Sequence, residues 1–407
     1  MGDNMAYKRN KDDYFRKTYI TNEVLPSGKK KRVVIRDKDL NAFKKKVKEA
    51  DRLYNLGVTL DDATVAEWGE KWLAVYKSNA SPRQKKHYKA KVELDIVPAI
   101  GNMLMRNVLP SDLQKLLNTY EGGKLGTVKK IRTTIKQFFA DAQYEGIIER
   151  NPAARLEIPK ITEESRRPLT SFERAIVYNV GLSHKDGPYF MTMLFCGLRR
   201  GEDVALTVGD VSFESYRIRI YKAMNLEKNT GVLKGPKSEA GVREVAIPDR
   251  LIPFLRKQCD GRADDSPLFP KEDGKAATAS ACKRRWGSFL RKCHLAAGAP
   301  TYRNKLLTVA HSDNGAIIFK SPFDDAITPH YLRHTYATDL YAAGVDEKAQ
   351  KYFLGHASAD VTDRYRKMSD AAFARARQQL NEYYATLNFD LPTIEKFELP
   401  VEMKKKP

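Results

Sequence analysis

Four short stretches in the second half of the sequence carry cations, imidazoles and a phenol at spacings that suit chemistry on an anion. In the first, residues 197–202, Gly197 permits a tight turn, and Arg199 then begins a helix with Glu202 one turn later. A guanidinium there can offer a planar fork to phosphate oxygens while a carboxylate steadies it. An ordinary surface Arg–Glu pair explains this stretch equally well.

The second stretch, residues 328–334, predicts the start of a helix. Thr328 is a natural N-cap, and Pro329 suits the first helical position. His330 and Arg333 are then three apart on one face, near a terminus whose N–H groups favour anions. Taken alone, the stretch also fits a partly buried histidine beside a surface arginine.

The third stretch contains His356 in Leu-Gly-His and reaches Tyr365 nine residues later. The neighbours of Tyr365 are Arg364, Arg366 and Lys367. Their positive field favours the phenolate, which matters because a phenol with a pKa of ~10 is ionised in only about one molecule in a thousand at pH 7. The pattern therefore predicts a tyrosine prepared to act as a nucleophile.

The fourth stretch lies between two predicted strands, residues 216–221 and 243–247. It carries Lys234 and Lys237 on a predicted hairpin. A lysine on such a hairpin could swing its ammonium into a neighbouring site, although lysines on turns are mostly solvated.

The length and the net charge of the chain limit its number of domains and its partners. The chain of 407 residues allows two to four domains, and its net charge of +21 makes a polyanion a favoured partner over the alternative of a merely soluble basic protein. No apolar run approaches the roughly 20 residues that cross a bilayer, and the start lacks the apolar stretch of a signal peptide. The four cysteines have no metal-type or redox-type spacing, which favours reduced thiols in the cytoplasm.

The N-terminal stretch predicts a small basic module of two strands and a helix. The strands cover residues 14–25 and 32–36, and Asp39 caps a helix with Leu40, Phe43 and Val47 on one face. A charged disordered arm is the alternative. The cations that could contact phosphates here are Lys29, Lys30, Lys31 and Arg32.

Residues 63–153 have helical periodicity, with Val65, Trp68, Trp72 and Val75 at helical spacing. We expect the tryptophans to lie in a core and not to serve as stacking platforms. The outward faces carry cations whose excess suits phosphate contacts: Arg83, Lys85, Lys86, Lys129, Lys130, Arg132 and Lys136. After a Pro-containing linker, Thr170 and Glu173 predict a capped helix that opens a mixed α and β region.

Taken together, the four stretches resemble the tyrosine recombinase (phage integrase) family, with its order of Arg, Lys, His-x-x-Arg, His and Tyr. Gly-Leu-Arg-x-x-Glu, Pro-His-x-Leu-Arg-His-Thr, Leu-Gly-His and the step to tyrosine all occur at family-like separations. The resemblance covers residues 166–384 well. It covers the helical region loosely, and it reaches the N-terminal module only by analogy with arm-binding domains of phage and conjugative-transposon integrases. Residues 300–325 form a longer segment than compact members carry, and we assign it no function.

The resemblance implies a multidomain α+β protein. It would have a small basic β-sheet/helix N-terminal module, an all-α helical core-DNA-binding domain, and a mixed, mainly-α catalytic domain of tyrosine recombinase type with a small β-sheet. The expected parts are an arm-type DNA-binding module (1–60), the helical domain (61–155), a linker (156–167), the catalytic domain (168–387) and a C-terminal tail (388–407).

The resemblance also implies a mechanism. Tyr365 would attack the scissile phosphorus, leaving a 3′-phosphotyrosine and a free 5′-hydroxyl. Arg199 and Arg333 would hold the non-bridging oxygens, where negative charge concentrates.

Proton transfers fall to other residues of the four stretches. Lys237, or less favourably Lys234, would protonate the leaving oxygen. His330 would accept the tyrosine proton, His356 would donate to a phosphate oxygen, and Glu202 would orient its neighbours. We expect no cofactor and no metal, since the covalent bond stores the energy of the cut ester.

The partners implied are double-stranded DNA at specific recombination sites, a homotetramer on that DNA and a possible accessory DNA-bending or excision factor, with no membrane. The basic N-terminal module favours an integrase of a bacterial or phage mobile element. A helix from Ser369, with Phe373, Leu380 and Tyr384 on one face, would pack either on its own protomer or on a neighbour. The alternatives are a type IB topoisomerase-like enzyme and a catalytically silent DNA-binding regulator.

Overall fold

The computed structural model describes residues 7–8, 13–24, 27–56, 58, 63–161, 167–226, 229, 231–235, 241–312, 315–355, 368–391, 393–394 and 397. Its content is mixed and mainly helical. The chain divides into two compact units, Met1–Glu164 and Ser165–Pro407.

The first unit begins with a two-stranded antiparallel sheet covered by a helix, as the sequence predicts. Strands β1 (Phe15–Val24) and β2 (Lys30–Asp37) pair, and helix α1 (Leu40–Asn55) follows. The Asp39 side chain caps α1 by accepting a hydrogen bond from the backbone N–H of Ala42 at 2.6 Å. Phe43 and Val47 are buried against the sheet as predicted, whereas Leu40, the first residue of α1, is 37% exposed, and the other face of the sheet is also exposed.

The described part of the first unit continues with helices α2 (Val65–Val75), α3 (Pro82–Lys91), α4 (Val97–Ile100), α5 (Pro110–Asn118) and α6 (Leu125–Tyr144), and a π-helical segment, Val92–Ile96, joins α3 to α4. Trp68 and Trp72 are buried among them, as predicted, whereas Val75, the last residue of α2, is 57% exposed. The indole N–H of Trp68 donates to the carbonyl of Phe138, and that of Trp72 donates to Asp141 at 2.7 Å. These contacts fix α2 against α6.

The second unit is built around α8, which is buried along its whole length. Its helices are α7 (Ser171–Ser183), α8 (Gly187–Cys196), α9 (Arg200–Ala205), α10 (Ile252–Cys259), α11 (Ala279–Ala296), α12 (Pro329–Ala342), α13 (Glu347–Leu354) and α14 (Asp370–Thr386). The predicted capping box at the start of α7 is present, with Thr170 and Glu173 exchanging side-chain to backbone hydrogen bonds.

Short strands complete the second unit. Strands β3 (Val211–Ser212), β4 (Arg217–Ile220) and β7 (Arg243–Ala246) form an antiparallel sheet, and β5 (Ala223–Asn225) pairs with β6 (Val232–Lys234). The long segment 300–325 contains two hairpins, β8 (Thr301–Tyr302) with β9 (Lys305–Leu306), and β10 (Val309–His311) with β11 (Ile317–Lys320).

The C-terminal helix packs on its own chain. Ser369 caps α14, and Phe373, Leu380 and Tyr384 are buried in the core of the second unit. Packing continues past the helix, because Phe389 is buried and its carbonyl accepts a hydrogen bond from the Asn179 side chain at 2.6 Å. The start of the expected tail is therefore part of the fold.

Among the residues that the structure describes, no helix is both long enough and apolar enough to span a bilayer.

Candidate active site

The turn between α8 and α9 places Arg199. Helix α8 ends at Gly197, whose φ of 63° is left-handed, and a Cβ added there would lie 2.2 Å from Cδ1 of the buried Tyr336. A glycine is therefore required at this turn for two independent reasons. Arg199 follows as the N-cap residue of α9, and its Nη1 donates to Glu202 Oε1 at 2.8 Å, as the spacing predicts.

Helix α12 places Arg333 next to the turn that contains Gly197. Thr328 is the N-cap residue and Pro329 the first helical residue, so the predicted helix start is confirmed. Arg333 is 5% exposed and donates to the carbonyl oxygens of Gly197 and Leu354. Burial, with the nearby charges of Arg199 and Arg243, lowers the pKa of Arg333 to about 10, so its guanidinium remains charged at neutral pH.

The two guanidiniums meet at the C-terminal end of α13. Arg199 Nη2 donates to the carbonyl oxygen of Leu354 at 3.3 Å and to that of Gly355 at 3.1 Å. Arg333 donates to the same Leu354 oxygen. The last carbonyls of a helix carry partial negative charge, and here they accept hydrogen bonds from two cations. Within the described residues, the first and second stretches therefore meet at Leu354 and Gly355, where the third stretch begins.

Arg243 also belongs to this cluster, although sequence reasoning did not select it. Its side chain is 0% exposed, and Nη1 and Nη2 donate to the two oxygens of Glu202 at 3.1 and 2.9 Å. Burial by itself raises the pKa of Glu202, but Arg243 and then Arg199 lower it to about 2. The alternation of side chains along β7 could have identified Arg243. Arg243 shares a face of the strand with the buried Val245, and a buried charge requires a partner.

The other predicted catalytic residues are placed less completely. His330 is exposed in the first turn of α12, and Lys234 is exposed at the end of β6. Lys237, His356 and Tyr365 lie outside the described residues. The assignment of Lys237, or of Lys234, as the proton donor to the leaving oxygen therefore stays a prediction. The position of the nucleophile Tyr365 also stays a prediction.

The candidate DNA-contacting cations are mostly exposed. Those with exposed side chains are Lys29, Lys30, Arg32, Arg83, Lys85, Lys86, Lys129 and Lys130. Lys31, Arg132 and Lys136 are half-buried. Arg132 also has a structural contact, because its Nε donates to the carbonyl of Leu156 at 2.8 Å.

Comparison with known families gives two matches. The profile of the phage integrase family matches residues 161–372, and that of the phage integrase central domain matches residues 65–158. A tyrosine recombinase XerC-like protein of Caldanaerobacter subterraneus subsp. tengcongensis is 24% identical over 343 residues, which cover 75% of this chain and 80% of that protein. The transposase from transposon Tn916 of Enterococcus faecalis is 25% identical over 280 residues, which cover 65% of this chain and 64% of that protein.

Solved structures share the fold. An integrase of transposon Tn1549 in complex with a circular intermediate DNA has a TM-score of 0.59 at 20% identity, covering 79% of this chain and 99% of that chain. A lambda integrase tetramer bound to a Holliday junction has a TM-score of 0.51 at 17% identity, covering 89% of this chain and 98% of that chain.

Proposed function

The chain belongs to the phage integrase family and is a tyrosine site-specific recombinase, and from this premise we propose that it integrates and excises a mobile element by cutting DNA with Tyr365. The observation that carries the site assignment is the meeting of Arg199 and Arg333 at the Leu354 carbonyl oxygen. The convergence of two guanidinium forks on one oxygen supports the proposal that Arg199 and Arg333 together hold the non-bridging oxygens of one phosphate. The topoisomerase and silent-regulator alternatives are not favoured.

The proposed cut proceeds by attack of the Tyr365 hydroxyl oxygen on phosphorus, with departure of the 5′-oxygen. Arg199 and Arg333 stabilise the negative charge that builds on the non-bridging oxygens as phosphorus becomes five-coordinate. The product is a 3′-phosphotyrosine, and attack on its phosphorus by the 5′-hydroxyl of another strand forms a new phosphodiester, breaks the bond to Tyr365 and releases the tyrosine hydroxyl. Glu202 keeps Arg199 in place throughout, since it accepts both its side-chain and its backbone N–H.

Proton transfers are assigned to three residues in the proposal. His330 accepts the proton of Tyr365, Lys237 delivers a proton to the leaving 5′-oxygen, and His356 donates a hydrogen bond to a phosphate oxygen. The exposure of His330 in the first turn of α12 supports this role, because its imidazole is accessible to a bound DNA strand.

We further propose that the parts of the chain divide the work of holding DNA. The match of residues 65–158 to the central-domain profile supports a core-DNA-binding role for the helical region. For the N-terminal module, the support is the uncovered face of its sheet, where Arg16 lies opposite Arg36 and Arg32 is also exposed. Arginines so arranged suit contact with phosphates of a DNA duplex.

The proposed partners are double-stranded DNA with specific sites and three further copies of the chain. The neighbour solved as a tetramer on a Holliday junction supports this assembly. An accessory DNA-bending or excision factor belongs to the same proposal.

The proposed function can be tested with a nicked suicide substrate. This DNA carries the end sequences of the protein's own element. Cleavage next to a nick releases a short strand that diffuses away, so wild-type protein should accumulate as a covalent adduct. Tyr365→Phe removes the hydroxyl and should abolish the adduct while leaving DNA affinity unchanged.

The matched control is Tyr341→Phe, which removes a hydroxyl from a tyrosine that is 77% exposed on α12. This variant should form the adduct at the wild-type rate. An adduct that persists in Tyr365→Phe would assign the nucleophile to another residue. Joined products from two mixed DNA sites would in addition separate recombination from simple relaxation.

A further inference from the structure

Three consecutive carbonyl groups at the C-terminal end of α13 each accept a hydrogen bond from an arginine. The Phe353 oxygen accepts from Arg243 at 2.8 Å, the Leu354 oxygen accepts from Arg333, and the Gly355 oxygen accepts from Arg199 at 3.1 Å. Resting on the function proposed above, we propose that Arg243 is a positioning residue that aims the Arg199 guanidinium at the scissile phosphate.

Arg243 acts on Arg199 through Glu202. The guanidinium of Arg243 binds both oxygens of the carboxylate, at 3.1 and 2.9 Å. The same two oxygens accept from Arg199, Oε1 from the side chain at 2.8 Å and Oε2 from the backbone N–H at 2.9 Å. The Arg199 side chain is 43% exposed, so its direction depends on this carboxylate and on the end of α13.

Arg243 also fixes the end of α13 relative to Glu202. The third donor of its fork, Nε, binds the Phe353 carbonyl while Nη1 and Nη2 bind Glu202. The guanidinium lies against Gly355, where an added Cβ would be 2.9 Å from Nη1. One rigid, planar group therefore sets the distance between the two structures that hold Arg199.

A lysine cannot reproduce this arrangement. Its ammonium is a single charged point on a flexible stem, whereas three donors in one plane are needed to bind Glu202 and Phe353 together. Arg243→Lys therefore keeps the buried positive charge but loses the fixed geometry. A misplacement of about 1 Å at a reacting group costs on the order of 100-fold in rate.

The test compares single-turnover formation of the covalent adduct on two suicide substrates. One carries an ordinary phosphodiester at the cut site, and the other a methylphosphonate, in which a methyl group replaces a charged oxygen. We expect Arg243→Lys to bind both with wild-type affinity and to cleave the phosphodiester about 100-fold more slowly. On the methylphosphonate the loss should shrink to a few-fold, because this neutral group needs less stabilisation from two aimed guanidiniums.

Arg285→Lys is the matched control. Arg285 has a side chain that is 9% exposed, pairs with Asp186 at 2.9 Å and donates to the carbonyls of Phe269 and Pro270. Among the described residues, Arg285 forms no hydrogen bond or ion pair with Arg199 or with α13. This variant should lose stability as Arg243→Lys does, without a rate loss that depends on the substrate.

A second variant guards against a folding defect. Glu202→Gln combined with Arg243→Met removes both buried charges together, so that neither is stranded. Because this variant also removes the carboxylate that holds Arg199, it tests the whole link from Arg243 through Glu202 to Arg199, and it should show the same dependence on the substrate.

Two failures can be told apart. Equal rate losses on both substrates, or no loss on the phosphodiester, would reduce Arg243 to a structural residue while the proposed function stands. Absence of any adduct with the wild-type protein would overturn the proposed function and this inference with it.

Discussion

The carboxylate of Glu202 lies inside the protein between Arg243 and Arg199. This position predicts a particular pH dependence of the protein's stability. Arg243 and Arg199, acting against the effect of burial, lower the pKa of Glu202 from 4.5 to about 2. A carboxyl group whose pKa falls on folding stabilises the protein above its unfolded-state pKa, and this stabilisation is lost as the pH falls through the folded-state pKa. We expect Glu202→Gln to lower the free energy of unfolding by about 3 kcal/mol at pH 7. The difference from wild type should shrink between pH 4.5 and 2, measured by urea denaturation across pH.

Glu244→Gln provides the control for this experiment. Glu244 pairs with Arg217 at 2.9 Å, but its side chain is 39% exposed. A solvated pair of this kind is worth less than about 1 kcal/mol. If the loss in Glu202→Gln were as small as in the control, or were the same at every pH, the buried pairs would not stabilise the site as described.

At the level of helices and strands, local rules predicted much of the fold. Asp39 caps α1 and Thr170 caps α7 because short polar side chains satisfy N–H groups of the first turn, a contact made within three residues. Strand alternation likewise located β4 and β7. These features are readable because the interacting groups are close in sequence.

The convergence of the site could not be predicted from such rules. Arg199 and Leu354 are 155 residues apart, and Arg243 and Glu202 are 41 apart. Periodicity indicates which way a side chain faces but not which distant group it meets, so Arg243 was missed. Residue type and spacing singled out Arg199 and Arg333 as candidates, but only the resemblance of their motifs to a known family implied that they act on the same phosphate. The hairpins of residues 300–325 had no such guide.

The turn that joins α8 to α9 makes a prediction about Gly197. In Gly197→Ala the residue must keep a φ of 63° and place a Cβ 2.2 Å from the ring of Tyr336, which is fully buried. The backbone strain and the overlap together should lower the free energy of unfolding by about 3 kcal/mol or more. Urea denaturation measures the loss of unfolding free energy. Hydrogen exchange of the backbone amides of α8 shows which unfolding transition belongs to the second unit.

Gly261→Ala separates the two causes. Gly261 has a φ of 64°, but nothing lies within 4 Å of an added Cβ. This variant should lose only the backbone contribution, about 1 kcal/mol. Equal losses in the two variants would mean that Tyr336 can move away and that the close contact with α12 does not constrain the turn.

At the scale of the whole molecule, the lysines differ in whether a neighbouring carboxylate neutralises their charge. Some lysines of the second unit are neutralised locally: Lys185 pairs with Glu272 at 3.0 Å, and Lys271 with Asp273 at 2.6 Å. Lys129 and Lys130 are exposed on α6, and within the described part of the chain their ammonium groups form no ion pair. The net charge of +21 therefore understates how strongly particular faces attract a polyanion.

Salt dependence of DNA binding distinguishes these two kinds of lysine. Each cation that contacts a phosphate releases a condensed counterion, so the slope of log K against log salt concentration is about −0.9 per contact. The double variant Lys129→Gln, Lys130→Gln should reduce the magnitude of the slope by about 1.8 if both contact phosphates. Lys185→Gln with Lys271→Gln removes the same total charge and should leave the slope at its wild-type value, as measured by fluorescence anisotropy from low to physiological salt. Equal changes in both variants would mean that net charge alone attracts the DNA, and the assignment of α6 as a contact surface would then be wrong.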